Sequence, residues 1–451
     1  MEVDQPATTL ARGIDDARMN RFLKKIVFFS SGGSFLDGYV LSLIGVALVQ
    51  LTSALSLSPV EVAAIGAAAL AGIFFGSLAG GRLTDALGRR TMFILDVTAI
   101  GLASLAACFV NAAWQLIALR FLLGFFIGAD YPIATSLIAE FSPRKERALS
   151  MGVVSGAWYL GATAAAFVGF ALYTTDGGWR WMLGSALIPC VVLLVGRHDI
   201  PESPRWLAQR GRTDEAREVM RKVFGGDIEL DEEEPTRAGF ASVFRQGYAS
   251  RVLFLGLLIL CQVVPMWAMY TFGPMIMSAF GLGEGSLSVL GEALVSLFFL
   301  IGTVPAMYWL DSLGRRPLLI GSLALMALGL LVPGIWPGAN IVIIIAAFAL
   351  YAFFSGGPGI LQWLYPNEMF PTEVRATAVG VAIAIRRIGV VVSTSGLPLF
   401  LAAYGIGPTM LTGAGLLVFA LVLSVFMAPE TRGLTLGEAS SLRPERKEPR
   451  G

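Results

Sequence analysis

The chain has 451 residues, of which 55% are hydrophobic and only 14% are charged, and its mean hydropathy is +0.71. This composition excludes an ordinary water-soluble globular protein and indicates an all-α integral membrane protein. The formal net charge of +1 provides no basic surface that would argue for a nucleic-acid partner.

Twelve apolar runs are long enough to cross a bilayer core of about 30 Å, which requires roughly 20 residues per helix. They lie near residues 25–51, 60–84, 91–112, 115–139, 149–172, 180–198, 251–279, 286–310, 317–336, 340–367, 376–403 and 408–428. One long polar connection follows the sixth run. The sequence therefore predicts an N-terminal six-helix bundle over 1–198, a linker over 199–250, a C-terminal six-helix bundle over 251–428 and a tail over 429–451.

The linker contains an acidic run, DIELDEEEP, and short helical patterns such as TDEAREVMRKVF. Lysine and arginine cluster in the connections that follow even-numbered spans, and the connections after odd-numbered spans hold few of them. The first twenty residues contain no apolar core of a signal peptide. By the positive-inside rule, both termini and the linker are expected to be cytoplasmic, with short cytoplasmic helices in the linker.

Three motifs occur twice at nearly the same displacement. DALGRR at 85–90 returns as DSLGRR at 311–316, EFSPRKER at 140–147 returns as EMFPTEVR at 368–375, and PES at 201–203 returns as PET at 429–431. The first displacement is 226 residues and the other two are 228 residues. The chain is therefore expected to form two pseudo-symmetric halves, an arrangement in which substrate sites lie at the midplane between the halves.

The repeated D-x-x-G-R-R, the stretch RFLLGFFIGADYPIATSLIAEFSPRKER, PESPRW and PETRG resemble the major facilitator superfamily, in the group that holds sugar porters and organic ion transporters. GADYPIA resembles bacterial metabolite:proton symporters and proton-coupled phosphate symporters. RATAVGVAIAIRRIGVVVS resembles organic anion and nicotinate-type transporters. The resemblance implies a secondary transporter with the major facilitator fold, acting as a monomer in the bacterial inner membrane.

Two departures from these patterns narrow the expectation. Sugar porters resemble one another in a QQ-x-x-G-x-N signature in span seven, where this chain reads CQVVPMW and keeps only Gln262. Many metabolite and phosphate symporters have two aspartates one turn apart in span one, whereas FLDGYVL has Asp37 and then Val40. These differences weaken a hexose assignment, phosphate as cargo and proton coupling through the usual pair.

Charged residues inside a span are costly and need a partner or a function. Counting a 1.5 Å rise per residue from the nearest charged end puts Asp37 about 18 Å deep, Asp130 about 15 Å and Arg387 about 18 Å, all near the midplane. By the same count, Arg120, Glu292 and Asp96 lie nearer the span ends. A buried carboxylate can carry a proton, and a guanidinium stays charged and fits a carboxylate.

We therefore predict that Asp37 and Asp130 couple protons. Arg386 and Arg387 differ by about 100° around the helix and cannot both face the same cavity. The resemblance to organic anion transporters implies that Arg387 binds an anionic substrate group and that Arg386 packs or pairs elsewhere. Polar and aromatic residues at similar depth complete the predicted pocket: Tyr39, Trp158, Tyr159, Gln262, Trp267 and Phe354. The alternative for each of these residues is ordinary helix packing. A cytoplasmic gate is predicted, by resemblance, from the repeated motifs: Asp85, Arg89, Arg90, Glu140, Arg147, Asp311, Arg315, Arg316, Glu368 and Arg375.

The sequence shows no phosphate-binding loop with lysine, no metal-ligand cluster and no nucleophile–base pair, so no enzyme activity, metal or cofactor is expected. The leading hypothesis is a transporter that moves a small organic anion, of the carboxylate type, together with protons by alternating access. Three alternatives remain: a sugar or polyol carrier, an organic cation carrier that uses Asp37, and a non-transporting membrane receptor of the same fold.

Overall fold

The computed structural model describes residues 20–141, 144–224, 248–282, 285–370 and 372–432, and in these ranges the regular structure is helical. The first half contains α1 (Arg21–Ala54), α2 (Pro59–Leu87), α3 (Arg89–Ala107), α4 (Ala113–Phe141), α5 (Arg144–Leu172), α6 (Gly178–Ser185) and α7 (Leu187–Arg197). The central connection contributes α8 (Pro204–Gln209) and α9 (Thr213–Phe224). The second half contains α10 (Ala249–Met277), a π-helical turn at Ser278–Leu282, α11 (Ser286–Ser312), α12 (Arg315–Ile335), α13 (Ile341–Phe354), α14 (Gly356–Met369), α15 (Thr372–Tyr404) and α16 (Ile406–Met427).

The prediction of twelve membrane-spanning helices is confirmed, since twelve helical segments are long and apolar enough to cross a bilayer. Spans six and ten, expected as single helices, each consist of two shorter ones. The breaks have the same cause. Pro189 has no N–H to donate to the carbonyl of Ser185, where α6 ends, and Pro358 has none for Phe354, where α13 ends.

Glycines allow the helices of the first half to pack with their backbones in contact. A Cβ atom at Gly76 of α2 would overlap the carbonyl oxygen of Phe125 in α4, and one at Gly124 of α4 would overlap the carbonyl oxygen of Ala69 in α2. The small residues at the crossing recur every fourth position, which places them on one face of each helix. The close α2–α4 contact therefore depends on glycine having no side chain at these positions.

The two halves repeat each other at one end of the bundle, which we call the loop end because the central connection lies there; the other end is the far end. At the loop end, α2 turns into α3 at Gly88, with φ +91°, and α11 turns into α12 at Gly314, with φ +100°. These backbone angles favour glycine because L side chains rarely adopt them. The predicted linker helix TDEAREVMRKVF is α9, and its Val223 packs under the first half against Leu23 and Ile26.

The halves meet along a seam formed by α1, α2 and α5 on one side and α10, α11 and α15 on the other. Gly45 of α1 lies against the backbone carbonyl of Tyr270 in α10. The Thr163 hydroxyl of α5 donates a hydrogen bond to the carbonyl of Ser296 in α11 at 3.1 Å. Each of these four residues lies in the far-end part of its helix. In this conformation the halves are therefore packed together towards the far end.

Candidate functional site

A buried charge cluster lies in the first half towards the loop end. Arg197, the last residue of α7, has a fully buried side chain. Its Nη1 is 3.5 Å from Asp96 Oδ1 and its Nη2 is 3.9 Å from Asp130 Oδ2. The same guanidinium donates to the carbonyl of Phe93 at 2.7 Å and lies 3.4 Å from the centroid of the Phe93 ring. One arginine is thus shared by two carboxylates from different helices.

Asp37 of α1 is the third carboxylate of this region. It is 2% exposed, and its Oδ1 has no hydrogen-bond partner among the described residues. It lies within electrostatic range of Asp130 and Arg197 in its own half and of Arg387 in the other half. This region thus holds three carboxylates and one guanidinium from the first half, with the Arg387 guanidinium across the seam.

The two arginines of span eleven lie in different surroundings, as the 100° helical offset predicts. Arg387 is half-buried, and its charge acts on Asp37. Arg386 Nη1 donates to Gln362 Oε1 at 3.1 Å, and its guanidinium lies 5.7 Å from the Trp363 ring centroid. Arg386, Gln362 and Trp363 line a cavity of about 60 Å³ between α10, α14 and α15.

Aromatic rings form the middle of the seam. Trp158 of α5 makes edge contacts with Trp267 and Tyr270 of α10, with ring centroids 5.6 and 5.0 Å apart. Tyr159 stacks on Phe299 of α11 at 6.2 Å, and its hydroxyl lies 3.8 Å from the Met266 sulfur. The structure therefore brings the predicted residues Trp158, Tyr159 and Trp267 together, on both sides of the boundary between the halves.

Several polar atoms in the interior of the second half have no hydrogen-bond partner among the residues that the structure describes. Gln262 is 1% exposed, and both its amide oxygen and its amide nitrogen are unpaired. The hydroxyls of Tyr270 and Tyr351 are buried and unpaired as well. Buried polar atoms without partners are rare in folded proteins, and each calls for an explanation such as an ordered water, an ion or a functional role.

Two of the predicted pocket residues make local contacts instead. The Tyr39 hydroxyl is 2.6 Å from Ser185 Oγ within the first half. The Phe354 ring stacks on Trp309 of α11 at 6.2 Å. Among the described residues, neither ring contacts the rings of Trp158, Tyr159 and Trp267. Their assignment to the substrate pocket remains a prediction.

At the loop end, the repeated motifs meet in pairs. Glu202 accepts hydrogen bonds from the backbone N–H groups of Arg89 and Arg90 at the start of α3, at 2.9 and 3.2 Å. Glu430 accepts the equivalent bonds from Arg315 and Arg316 at the start of α12, at 3.1 and 3.0 Å. Each carboxylate therefore caps a helix N-terminus, where unpaired N–H groups and the helix dipole favour negative charge.

Burial by itself would raise the pKa of Glu430, but the hydrogen bonds from the N–H groups of Arg432, Arg315 and Arg316 outweigh it and lower the pKa below its ordinary value. Arg315 also pairs with Asp311 at 3.3 Å and with Glu368 at 3.4 Å. The side chains of four predicted gate residues lie outside the described part of the chain: Asp85, Glu140, Arg147 and Arg375.

Sequence reasoning missed Arg197, Glu202 and Glu430, and it set Asp96 aside as lying near a span end. Signals for the two glutamates were present, because PES and PET repeat at the same displacement as the arginine turns. No comparable signal existed for Arg197, which stands at the end of its span and carries its charge inward on a long side chain.

The chain matches the family model described as "Sugar (and other) transporter" over residues 25–442. It is 51% identical over 432 residues to "Putative metabolite transport protein YaaU" of Escherichia coli, covering 96% of this chain and 98% of that protein. It is 30% identical to "Glucose transporter GlcP" of Staphylococcus epidermidis, covering 93% and 97% respectively. The inward open structure of the xylose transporter XylE from E. coli superposes with a TM-score of 0.78 at 22% identity, over 92% of this chain and 99% of that one. The fold is thus that of the major facilitator superfamily, as predicted, in a multi-pass membrane protein.

Proposed function

The chain belongs to the family of sugar and other transporters, and on that premise we propose that it moves a small polyhydroxylated organic acid together with protons by alternating access. The observation that carries the proposal is that a buried carboxylate of one half, Asp37, lies within electrostatic range of an arginine of the other half, Arg387. Protonation of Asp37 removes a negative charge near Arg387, so that binding an anion at Arg387 becomes more favourable. Proton and anion thereby promote each other's binding.

The hydroxyl-bearing part of the substrate is inferred from the unpaired polar atoms of the seam. Gln262 offers one acceptor and two donors, and the hydroxyls of Tyr270 and Tyr351 can donate or accept. The rings of Trp158 and Trp267 supply apolar surface beside them. Aromatic walls with a few oriented polar groups suit a sugar-like skeleton, and a guanidinium suits its carboxylate.

The loop end is cytoplasmic in this proposal, by the positive-inside rule, and the protein works as a monomer. With the halves packed together towards the far end, the conformation described is closed to the outside. The capped turns at Glu202 and Glu430, with the ion pairs of Arg315, hold the loop-end connections of each half in place while the halves rock against each other.

The test is uptake into proteoliposomes of labelled gluconate and labelled glucose, which share a carbon skeleton and differ in charge. Inward-directed proton gradients are expected to stimulate gluconate uptake, and Arg387→Gln is expected to raise the KM for gluconate at least tenfold. Asp37→Asn is expected to abolish the gradient response while retaining exchange of gluconate across the membrane. Arg386→Gln is the matched control, since Arg386 faces Gln362 and Trp363, and it is expected to leave the KM within about threefold.

A neutral sugar is the second candidate, and the named glucose and xylose transporters among the relatives favour it. In the same assay, a neutral-sugar carrier transports glucose in preference to gluconate, and its KM is insensitive to Arg387→Gln. Gln262→Ala is expected to impair transport in either case, because both substrates bear hydroxyls. Glucose preferred over gluconate, with an unaltered KM in Arg387→Gln, would overturn the organic-acid proposal and establish the sugar reading.

A further inference from the structure

A second buried arginine lies outside the site described above. Arg120 of α4 is 4% exposed, and its Nε donates to the carbonyl of Ile65 in α2 at 2.9 Å. A guanidinium has five N–H donors, and this hydrogen bond uses one of them. Within the described ranges, Arg120 makes no ion pair and no other hydrogen bond, and no carboxylate acts on its charge. A permanent cation inside a span is therefore left without a counter-charge from the residues that the structure describes.

The Arg120 side chain lines a small cavity enclosed by α1, α3, α4 and α6, with a volume of about 20 Å³. This volume exceeds the about 10–15 Å³ that one water molecule requires, so the cavity has room for one water-sized species. The Ser104 hydroxyl is the other polar group on its wall, and Val40 stands on the α1 side. The remaining lining residues are leucines and alanines.

The chemistry of this lining favours an acceptor over a water molecule. The guanidinium supplies only donors, and the serine hydroxyl can donate as well. A water molecule in the cavity could donate one hydrogen to the Ser104 hydroxyl, but its other hydrogen would face alkyl side chains that cannot accept it. A halide ion accepts from every direction and has no hydrogens, and its charge compensates that of Arg120.

We propose that the cavity binds one small inorganic monoanion, the size of chloride, in contact with the Arg120 guanidinium and the Ser104 hydroxyl. The site is separate from the Arg387 region, because Arg120 belongs to the first half and acts on none of the three carboxylates. The bound anion supplies the counter-charge that the described residues do not. The protein is then expected to be most stable when such an anion is available.

The experiment is thermal unfolding of the purified full-length protein at constant ionic strength, with sodium methanesulfonate replaced stepwise by sodium chloride or sodium bromide. A ligand that binds only the folded state stabilises it by mass action. The expected result is a saturable rise in Tm of about 2 °C with chloride and with bromide. Equal Tm values in methanesulfonate, chloride and bromide would overturn the proposal.

Three variants locate the site. Arg120→Gln is expected to lose the halide response. Should that variant not fold, Val40→Asp decides, because a carboxylate on the cavity wall competes with the halide and is expected to remove the response. Arg180→Gln is the matched control, since Arg180 also bonds to backbone carbonyls of the first half, and it is expected to keep the response. A response that survives in Val40→Asp, or that disappears in Arg180→Gln, contradicts binding beside Arg120.

Discussion

Removing the Glu430 carboxylate is expected to loosen the start of α12. Its Oε1 accepts from the N–H groups of Arg315 at 3.1 Å and Arg432 at 2.9 Å, and its Oε2 accepts from Arg316 at 3.0 Å. Loss of a helix N-cap costs about 1 kcal/mol, and loss of the favourable charge at the helix N-terminus adds about 0.3 kcal/mol for an exposed group. Glu430→Ala should therefore destabilise the protein by about 1–1.5 kcal/mol, and Glu430→Gln by about 0.3 kcal/mol, since the amide oxygen still accepts.

Thermal unfolding followed with a thiol-reactive dye suits this test, because Cys190 and Cys261 are buried and become reactive on unfolding. For a chain of 451 residues, Glu430→Ala is expected to lower the Tm by about 1–1.5 °C. Glu202→Ala should lower it by a similar amount, because Glu202 makes the same contacts in the first half. The double variant should show the sum of the two effects, since distant sites are additive.

Asp311→Asn is the matched control at the same turn. Its side chain is 82% exposed, so its ion pair with Arg315 contributes little, and the Tm should change by less than about 0.5 °C. The capping argument fails if Glu430→Ala unfolds at the wild-type temperature, or if Asp311→Asn loses as much stability as Glu430→Ala.

Three further outcomes are expected. Arg197→Met leaves Asp96 and Asp130 buried without a cation, so the free energy of unfolding should fall by about 3–5 kcal/mol. The variant is expected to give no monodisperse peak in size-exclusion chromatography. A monodisperse, transport-competent variant contradicts the cluster as described. Gly76→Ala should be unfolded or aggregated because its Cβ would meet a carbonyl oxygen of α4. Gly156→Ala should fold, since a Cβ there meets nothing within 4 Å. Equal yields of folded protein from the two variants count against the close crossing of α2 and α4. Because the folded-state pKa of Glu430 is lowered, its stabilising contribution is complete above the ordinary pKa of 4.5 and is lost as the pH falls through the folded-state value. The Tm difference between wild type and Glu430→Gln should therefore shrink as the pH is lowered from about 6 to about 3.5. A constant Tm difference would refute the assignment.

The architecture was accessible from sequence because a bilayer imposes a length on every apolar run and the chain repeats its motifs. The helix breaks in spans six and ten were missed even though Pro189 and Pro358 are visible, since prolines inside spans are often accommodated without a break, as at Pro265 within α10. Propensity alone does not decide between a tolerated proline and a helix end. That decision depends on how neighbouring helices pack.

The charges were less accessible, because depth along one helix does not say what lies across from it. Counting residues placed Asp130 at the midplane and Asp96 nearer a span end, as unrelated groups, yet both face Arg197. The different orientations of Arg386 and Arg387 were predictable, because a step of about 100° per residue is a property of the helix itself. Interactions that arise within one helix can be predicted from sequence, whereas partners on other helices depend on the assembled bundle.

The glycine crossing of α2 and α4 has a mechanical consequence for transport. Where the backbones of two helices are in contact, no flexible side chains lie between them to accommodate sliding or tilting of one helix over the other. These two helices must therefore move as one rigid unit. Flexing during a transport cycle is left to the places where rings and methyl groups lie between helices, as Trp158 and Tyr270 do where the halves meet.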